Sequence, residues 1–316
     1  MAVPTASLPP GTAVGAEDRA SRRRATNRKD NKLAFLMLAP LVLLLGIFVI
    51  WPLIYSAYLS FFDWSFYQES TFVGWKNFNN VLTDPQFRSS IVRGLVFALM
   101  VVPAILVISF LFASLVKAVG ARLGTLLKVA IYIPTVISGV ITSVIFLLIY
   151  QYSGGVLNWF VGLFGIEAQA WVADVRTALP AIAAPAVWLG LGISALIMLA
   201  GLLDIPQSYY EAAELEGANW FQRTFYITIP LLKNIILYLL IAGFTAAIQQ
   251  FELPLIMTNG GPLNSTLLPN LYLFNHFRTD TFVGTSIAGA FLLFLVLGSI
   301  SAVIFRLLNS DKAVDG

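Results

Sequence analysis

Residues 94–116 read GLVFALMVVPAILVISFLFASLV, 23 positions without one charged side chain. About 20 mostly apolar residues wound as a helix cross the roughly 30 Å hydrocarbon core of a bilayer. Similar charge-free runs occupy 33–61, 129–150, 178–203, 234–251 and 282–305, so six spans are expected. The fifth is the shortest, and Glu252 lies at its end. Composition agrees, with 58% hydrophobic and 11% charged residues and a mean hydropathy of +0.83. Soluble domains carry about 25% charged residues. The expected class is therefore an all-α polytopic membrane protein whose spanning domain covers 33–308.

The ends of the chain are a different material. Residues 1–32 have few large apolar side chains and finish in a basic run: Arg22, Arg23, Arg24, Arg28, Lys29, Lys32. A stretch of this kind cannot bury enough surface to offset its ordering entropy, and a disordered tail is expected. The apolar run after Lys32 is far longer than the 7–15 residues of a signal-peptide core, which argues for an uncleaved first span. Residues 309–316 are expected to form a short second tail.

Lysine and arginine set the orientation. Fourteen fall in the N-terminal tail, between spans two and three (Lys117, Arg122, Lys128), between spans four and five (Arg223, Lys233), or after span six. Five lie on the other side: Lys76, Arg88, Arg93, Arg176 and Arg278. The side richer in Lys and Arg is cytoplasmic, which puts both termini inside. Because the cations gather at membrane flanks, their number does not imply nucleic acid as a partner. Cysteine is absent and His276 is the single histidine. This excludes disulfides, thiolate chemistry and a His-rich metal cluster. Prolines at 40, 52, 103, 134, 180, 185 and 254 are tolerated in membrane helices, and some can mark kinks beside a pathway.

The loop after span four reads DIPQSYYEAAELEGANWFQRTFYITIP over 204–230. Ser208 followed by Glu211 fits a capping box, so a helix is expected to start near Ser208. Tyr209, Ala213, Gly217 and Trp220 would then share one side, with Glu211 and Glu214 opposite. Ala213 and Gly217 would leave a shallow dent that another backbone could approach. Gly217 invites a break and Pro230 is expected to end the helical stretch that follows.

At this point the sequence resembles a known family. The loop is similar to the EAA motif of permease subunits of binding-protein-dependent ABC importers, with Glu211, Ala212, Ala213, Gly217, Ile227, Ile229 and Pro230 at the family's spacing. Only Ile229 departs, standing for Leu. The resemblance implies a type I importer fold with a cytoplasmic coupling helix over 204–232, in which Glu211, Ala212, Ala213, Gly217, Ala218, Ile227 and Pro230 couple to an ATPase. Glu211 alone would be no more than a capping residue; the seven matched positions carry the resemblance.

Two further stretches resemble the carbohydrate branch, in the maltose and glycerol-phosphate type of first permease subunit. They are WPLIYSAYLSFFDW at 51–64 with FVGWKNF at 72–78, and FELPLIMTNGGP at 251–262 followed by Asn264, Ser265 and Thr266. The resemblance implies half of a pathway for a sugar or oligosaccharide, with a glycerol phosphodiester or polyol as the alternative solute. It implies a second, related permease as heterodimer partner, two ABC ATPase subunits that hold the ATP and Mg, and an extracellular or lipid-anchored binding protein. The chain would need no cofactor of its own and would be a multi-pass protein of the bacterial cytoplasmic membrane.

Polar groups at membrane depth usually face a bundle interior or a wet cavity. Gln249, Gln250 and Glu252 are therefore candidate pathway residues, able to hydrogen-bond a polyhydroxylated solute. Tyr150 and Gln151 at the outer end of span three are candidates too, although an interfacial aromatic belt explains Tyr150 and Tyr152 equally well. Residues 259–262 read as a tight outer turn, and His276 as an interfacial residue. An enzyme would need a constellation of His, Cys, Asp or Ser that is not visible, and there is no phosphate-binding Gly-rich loop with Lys. An ion-coupled transporter would need ionisable residues in its spans, where Glu252 alone comes close.

Overall fold

The structure is a computed structural model that describes residues 36–280 and 283–308. The tails expected at 1–32 and 309–316 lie outside the described residues. The chain divides into two compact units, Met1–Tyr58 and Leu59–Gly316.

In the first unit the described chain is helical. It belongs to α1, Leu36–Leu59, which contains a π-turn at Gly46–Ile50. The turn ends two residues before Pro52, whose ring collides with the carbonyl four residues back in a regular helix. A second π-turn, Thr224–Thr228, stands in the same relation to Pro230.

The second unit opens with a two-stranded ribbon, β1 (Phe62–Asp63) antiparallel to β2 (Thr71–Phe72). It is a local departure from an otherwise helical fold. Next come α2 (Lys76–Thr83), α3 (Pro85–Ala118), α4 (Ala121–Val136), α5 (Gly139–Ile149), α6 (Val156–Gly162) and α7 (Ala178–Asp204). The loop contributes α8 (Gln207–Leu215), α9 (Trp220–Arg223) and α10 (Ile229–Leu231). The chain ends with α11 (Lys233–Ile248), α12 (Glu252–Met257), α13 (Pro269–Thr279) and α14 (Gly284–Leu308).

Among the described residues five helices are long and apolar enough to cross a membrane, and a sixth crossing results if α4 and α5 count as one. That pair occupies the span expected at 129–150, starting earlier, at Ala121, and broken between Val136 and Gly139. α4 and α5 meet at 100°. Pro134 withholds a backbone donor, and Ser138 starts a new helix by accepting a 3.3 Å bond from Ile141 N. Span two begins earlier than the apolar run suggests, because Pro85 sits at the first helical position behind Asp84, which accepts from Gln86 N at 2.7 Å. Pro103 lies within α3 without ending it. Span five stops at Ile248, breaks across 249–251 and resumes as α12.

Two buried clusters organise this unit. One gathers Phe97, Ile182, Ile248, Leu253, Leu268 and Leu271 from α3, α7, α11, α12 and the chain around α13. The other, at the loop end of the helices, gathers Ala113, Val116, Met198, Leu202, Ile205 and Leu232. Hydrocarbon tails are as apolar as leucine, so spans associate through close packing at small residues. A Cβ on Gly192 would collide with Thr135 Oγ1 and lie 2.8 Å from the Ile131 carbonyl, which is how α7 approaches the α4 backbone. Asn77, buried in α2, donates to Ser60 O (3.0 Å) and Phe62 O (2.9 Å) and accepts from Thr285 Oγ1 (3.3 Å). It ties the ribbon to α14.

Candidate functional site

The loop between α7 and α11 folds as a helix, a glycine turn and a second helix. α8 starts at Gln207 behind Pro206, and no side chain caps it. The capping box expected at Ser208 and Glu211 is therefore not formed; proline, already extended and lacking an N–H, provides the start. The box lies further on: Asn219 Oδ1 accepts from Gln222 N at 2.9 Å and Gln222 Oε1 from Asn219 N at 2.8 Å.

Gly217 adopts φ +76°. The Ala218 N–H returns to Ala213 O (2.9 Å) and the Gly217 N–H to Glu214 O (3.0 Å), the paired bonds of a Schellman ending. The expected break is thus at Gly217, and Trp220 belongs to the next helix rather than to the Tyr209 and Ala213 side of α8. Pro230 does not end the second stretch. The helix passes it to Leu231, and one non-helical residue separates α10 from α11.

Ala213, Gly217, Ala218 and Ile227 line one open pocket of about 320 Å³ with Gln222 and Tyr226. The structure thus gathers four of the seven expected coupling residues into one dent. Glu211, Ala212 and Pro230 are exposed outside it. The hairpin also bears bare apolar groups: Leu215 is 89% and Tyr226 80% exposed, and Phe221 and Phe225 are exposed to 65% and 60%. Glu214 and Arg223 pair across the turn at 3.5 Å.

A short chain of contacts joins this hairpin to the spans, and no local pattern in the sequence signals it. Lys117 Nζ, at the end of α3, donates to Leu202 O at 2.9 Å and lies 4.6 Å from the centre of the Tyr210 ring. The Tyr210 hydroxyl is 3.0 Å from Thr228 Oγ1, whose own proton goes to Arg223 O at 3.2 Å. In the sequence Lys117 is one more loop cation.

The candidate pathway residues do not form one cluster. Gln250 lines a largely apolar cleft of about 400 Å³ between α3, α7 and α11, near Ser194 and Tyr238. Its Oε1 accepts from Phe251 N at 3.0 Å. The Gln249 backbone carbonyl accepts from Asn270 Nδ2 at 2.6 Å. Glu252 is exposed, and its carboxylate covers Gly139 at the start of α5, where a Cβ would overlap it. Tyr150 and Gln151 lie past the other end of α5, about 16 Å away at the rise of an α-helix. Tyr150 is buried and donates to Ala181 O at 3.0 Å, so its ring belongs to the core. Gln151 is exposed.

Residues 259–262, expected as a tight turn, lie inside a segment closed by a 2.7 Å bond between the Thr258 and Thr266 hydroxyls. The Tyr272 hydroxyl donates to Asp84. Burial first, then that bond, raise its pKa above the ordinary tyrosine value. His276 pairs with Asp280 at 2.8 Å. Among the described residues no group of three or more His, Cys, Asp or Glu could hold a metal ion.

Residues 84–313 match the model of the family described as binding-protein-dependent transport system inner membrane component. The chain belongs to that family. This permease is 32% identical to the sulfoquinovosyl glycerol transport system permease protein SmoG of Agrobacterium fabrum, over 89% of this chain and 92% of that protein. It is 30% identical to the trehalose/maltose transport system permease protein MalF of Thermococcus litoralis, over 82% and 88% respectively. Its fold is that of a chain in the crystal structure of a bacterial ABC transporter that imports the acidic polysaccharide alginate. That match has a TM-score of 0.77 at 20% identity and covers 92% of this chain and 99% of that one.

Proposed function

We propose that the permease is one half of the translocation pathway of an ATP-driven importer for a sugar or oligosaccharide, with its 204–232 loop seated on an ATPase subunit. The observation that carries this reading is the helical hairpin around Gly217. It presents a dent floored by small residues and bears exposed apolar side chains. Apolar surface of that kind, rimmed by charges, marks a partner site. The surplus of cations on the loop's side supports a cytoplasmic position for it, with both termini on the same side. ATP and Mg are held by the partner ATPases, and this chain contributes no catalytic group.

The sugar class is supported by the relatives, whose names specify a glycoside of glycerol and the disaccharides trehalose and maltose. An alginate importer of the same fold has been solved with its periplasmic protein bound to an alginate pentasaccharide. Gln250 and Glu252, at the break between α11 and α12, supply the amide and carboxylate groups that hydroxyl-rich solutes bind. In the mechanism, a loaded binding protein docks outside and closure of two ATPase subunits moves the hairpins. The two permeases, this one and a related partner, then exchange inward- for outward-facing packings. Coupling of this kind requires an element with two arrangements that both sites bias.

The importer reconstituted with its ATPases is the test. A side chain at Gly217 meets a φ that L residues rarely adopt, so Gly217→Asp is expected to abolish uptake while membrane insertion remains. Uptake by that variant at wild-type rate, or uptake by the permeases without nucleotide, would defeat the reading. Calorimetry of the cognate binding protein against a sugar panel identifies the solute.

A further inference from the structure

We propose that Lys117 is a positioning residue, a strut through which movement of α8 reaches α3 and α7. This rests on the reading of the 204–232 loop as the ATPase-coupling element. The loop leaves the membrane helices at Asp204 and rejoins them at Lys233, so the chain itself links it to α7 and α11. α3 has no such connection. Lys117 supplies one, from a position 85 residues away in sequence from Leu202.

Its ammonium makes two contacts of different kinds. The Leu202 carbonyl is among the last four of α7, which no intrahelical donor can satisfy. A cation there also meets the negative end of the helix dipole. The same Nζ stands 4.6 Å from the Tyr210 ring centre, within the range of a cation–π attraction. A helix cap alone would need only the first contact. The second reaches into α8, and the Tyr210 hydroxyl extends it to Thr228 and Arg223 in the second half of the hairpin. The Glu214–Arg223 pair closes the hairpin on itself. A push on the dent at Gly217 therefore arrives at Lys117 as movement of one body.

Beside the strut lies a pocket of about 320 Å³ lined by Lys117, Tyr210, Trp220, Arg223 and Thr228, among others. Leu202 lines this pocket too, and Tyr210 packs against the cluster of Met198 and Leu202, so the polar strut and the apolar packing meet at one place. The two contacts of Lys117 are polar and directional, which apolar packing cannot replace.

The complete importer in proteoliposomes tests this, with ATP hydrolysis and import measured in the same vesicles. The probe is the radiolabelled sugar found by calorimetry on the cognate binding protein. Lys117→Met keeps the apolar stem and removes both contacts. ATP hydrolysis belongs to other subunits and continues, while sugar imported per ATP falls about tenfold, the scale of one such contact pair. Lys117→Arg, which retains a donor and a cation, recovers most of that ratio. Tyr210→Leu lowers it as Lys117→Met does, and combining the two adds little. An unchanged ratio in Lys117→Met, or a proportional loss of hydrolysis and import that Lys117→Arg does not mend, overturns the strut. If Lys117→Met does not assemble, Tyr210→Leu and Lys117→Arg decide by the same ratio. Gly217→Asp run in parallel separates the two readings: normal import there sinks the coupling assignment itself, whatever Lys117 does.

Discussion

Asn158 uses every polar atom it has, and it does so in a stretch that reads as ordinary outer loop. Its Nδ2 is shared among the carbonyls of Gln151 (3.1 Å), Tyr152 (3.3 Å) and Gln169 (3.0 Å), while Oδ1 accepts from Gln169 N (3.0 Å) and Trp171 Nε1 (2.9 Å). The loop between α5 and α7 is folded around this one amide. Asn158→Ala would strand the half-buried Trp171 and Gln169 donors, at the low end of the about 1–3 kcal/mol that unsatisfied buried groups cost. The expected result is a lower thermal unfolding temperature of the purified complex, followed by tryptophan fluorescence. Asn158→Asp, which keeps the acceptor and loses the donors, should fall between the two. Nothing local marks Asn158, since asparagine in a loop is most simply a turn former. Its role depends on Gln169 and Trp171, 11 and 13 residues away. Tyr150 shows the converse. An aromatic at a span end reads as a pathway or interfacial residue, and only the Ala181 carbonyl from another helix reveals it as a core residue.

At the scale of elements, close approach rather than hydropathy decides the shape. α7 meets α4 at Gly192, where any Cβ strikes Thr135 and the Ile131 carbonyl, a backbone atom that cannot swing aside. Gly192→Val is therefore expected to destabilise the complex by about 1–3 kcal/mol, the usual cost of overpacking. Gly190→Val is the matched control, because its nearest neighbour is Ile105 Cδ1, the far end of a flexible side chain. The thermal midpoint of Gly192→Val should fall clearly below that of Gly190→Val; equal midpoints would mean that α4 and α7 can separate freely. The positions of the spans were legible because hydropathy is a property of contiguous residues. The 100° bend between α4 and α5 was not, because a bent span and a straight one need the same apolar run. Pro134 and Ser138 permit the bend. The Glu252 carboxylate over Gly139, supplied by an element more than a hundred residues on, accompanies it. Both π-turns were likewise hidden, although each has a proline two residues beyond its end. In the loop, the motif located the dent through Ala213 and Gly217, while the capping box expected at Ser208 stands at Asn219.

For the molecule as a whole, the two ends of the helices carry different chemistry. The loop end bears the exposed apolar hairpin, Lys117 and Arg223. The other end bears the Asn158 knot and the Asp84–Tyr272 bond. The proposed function needs the first to face an ATPase and the second a binding protein, so orientation is the claim on which that proposal stands. The absence of cysteine makes it directly measurable. Ala212→Cys lies on exposed α8, and Ser153→Cys lies in the exposed turn after Tyr150. A membrane-impermeant maleimide added to intact cells should label Ser153→Cys and spare Ala212→Cys. In inside-out vesicles the pattern should reverse. The excess of fourteen cations over five predicts this arrangement, because each Lys or Arg resists translocation while acidic residues contribute little. Labelling of Ala212→Cys from outside would place the hairpin away from ATP. In that event the dent at Gly217 would need a partner on the external face, and the route through Lys117 would carry a signal from the binding protein rather than from an ATPase.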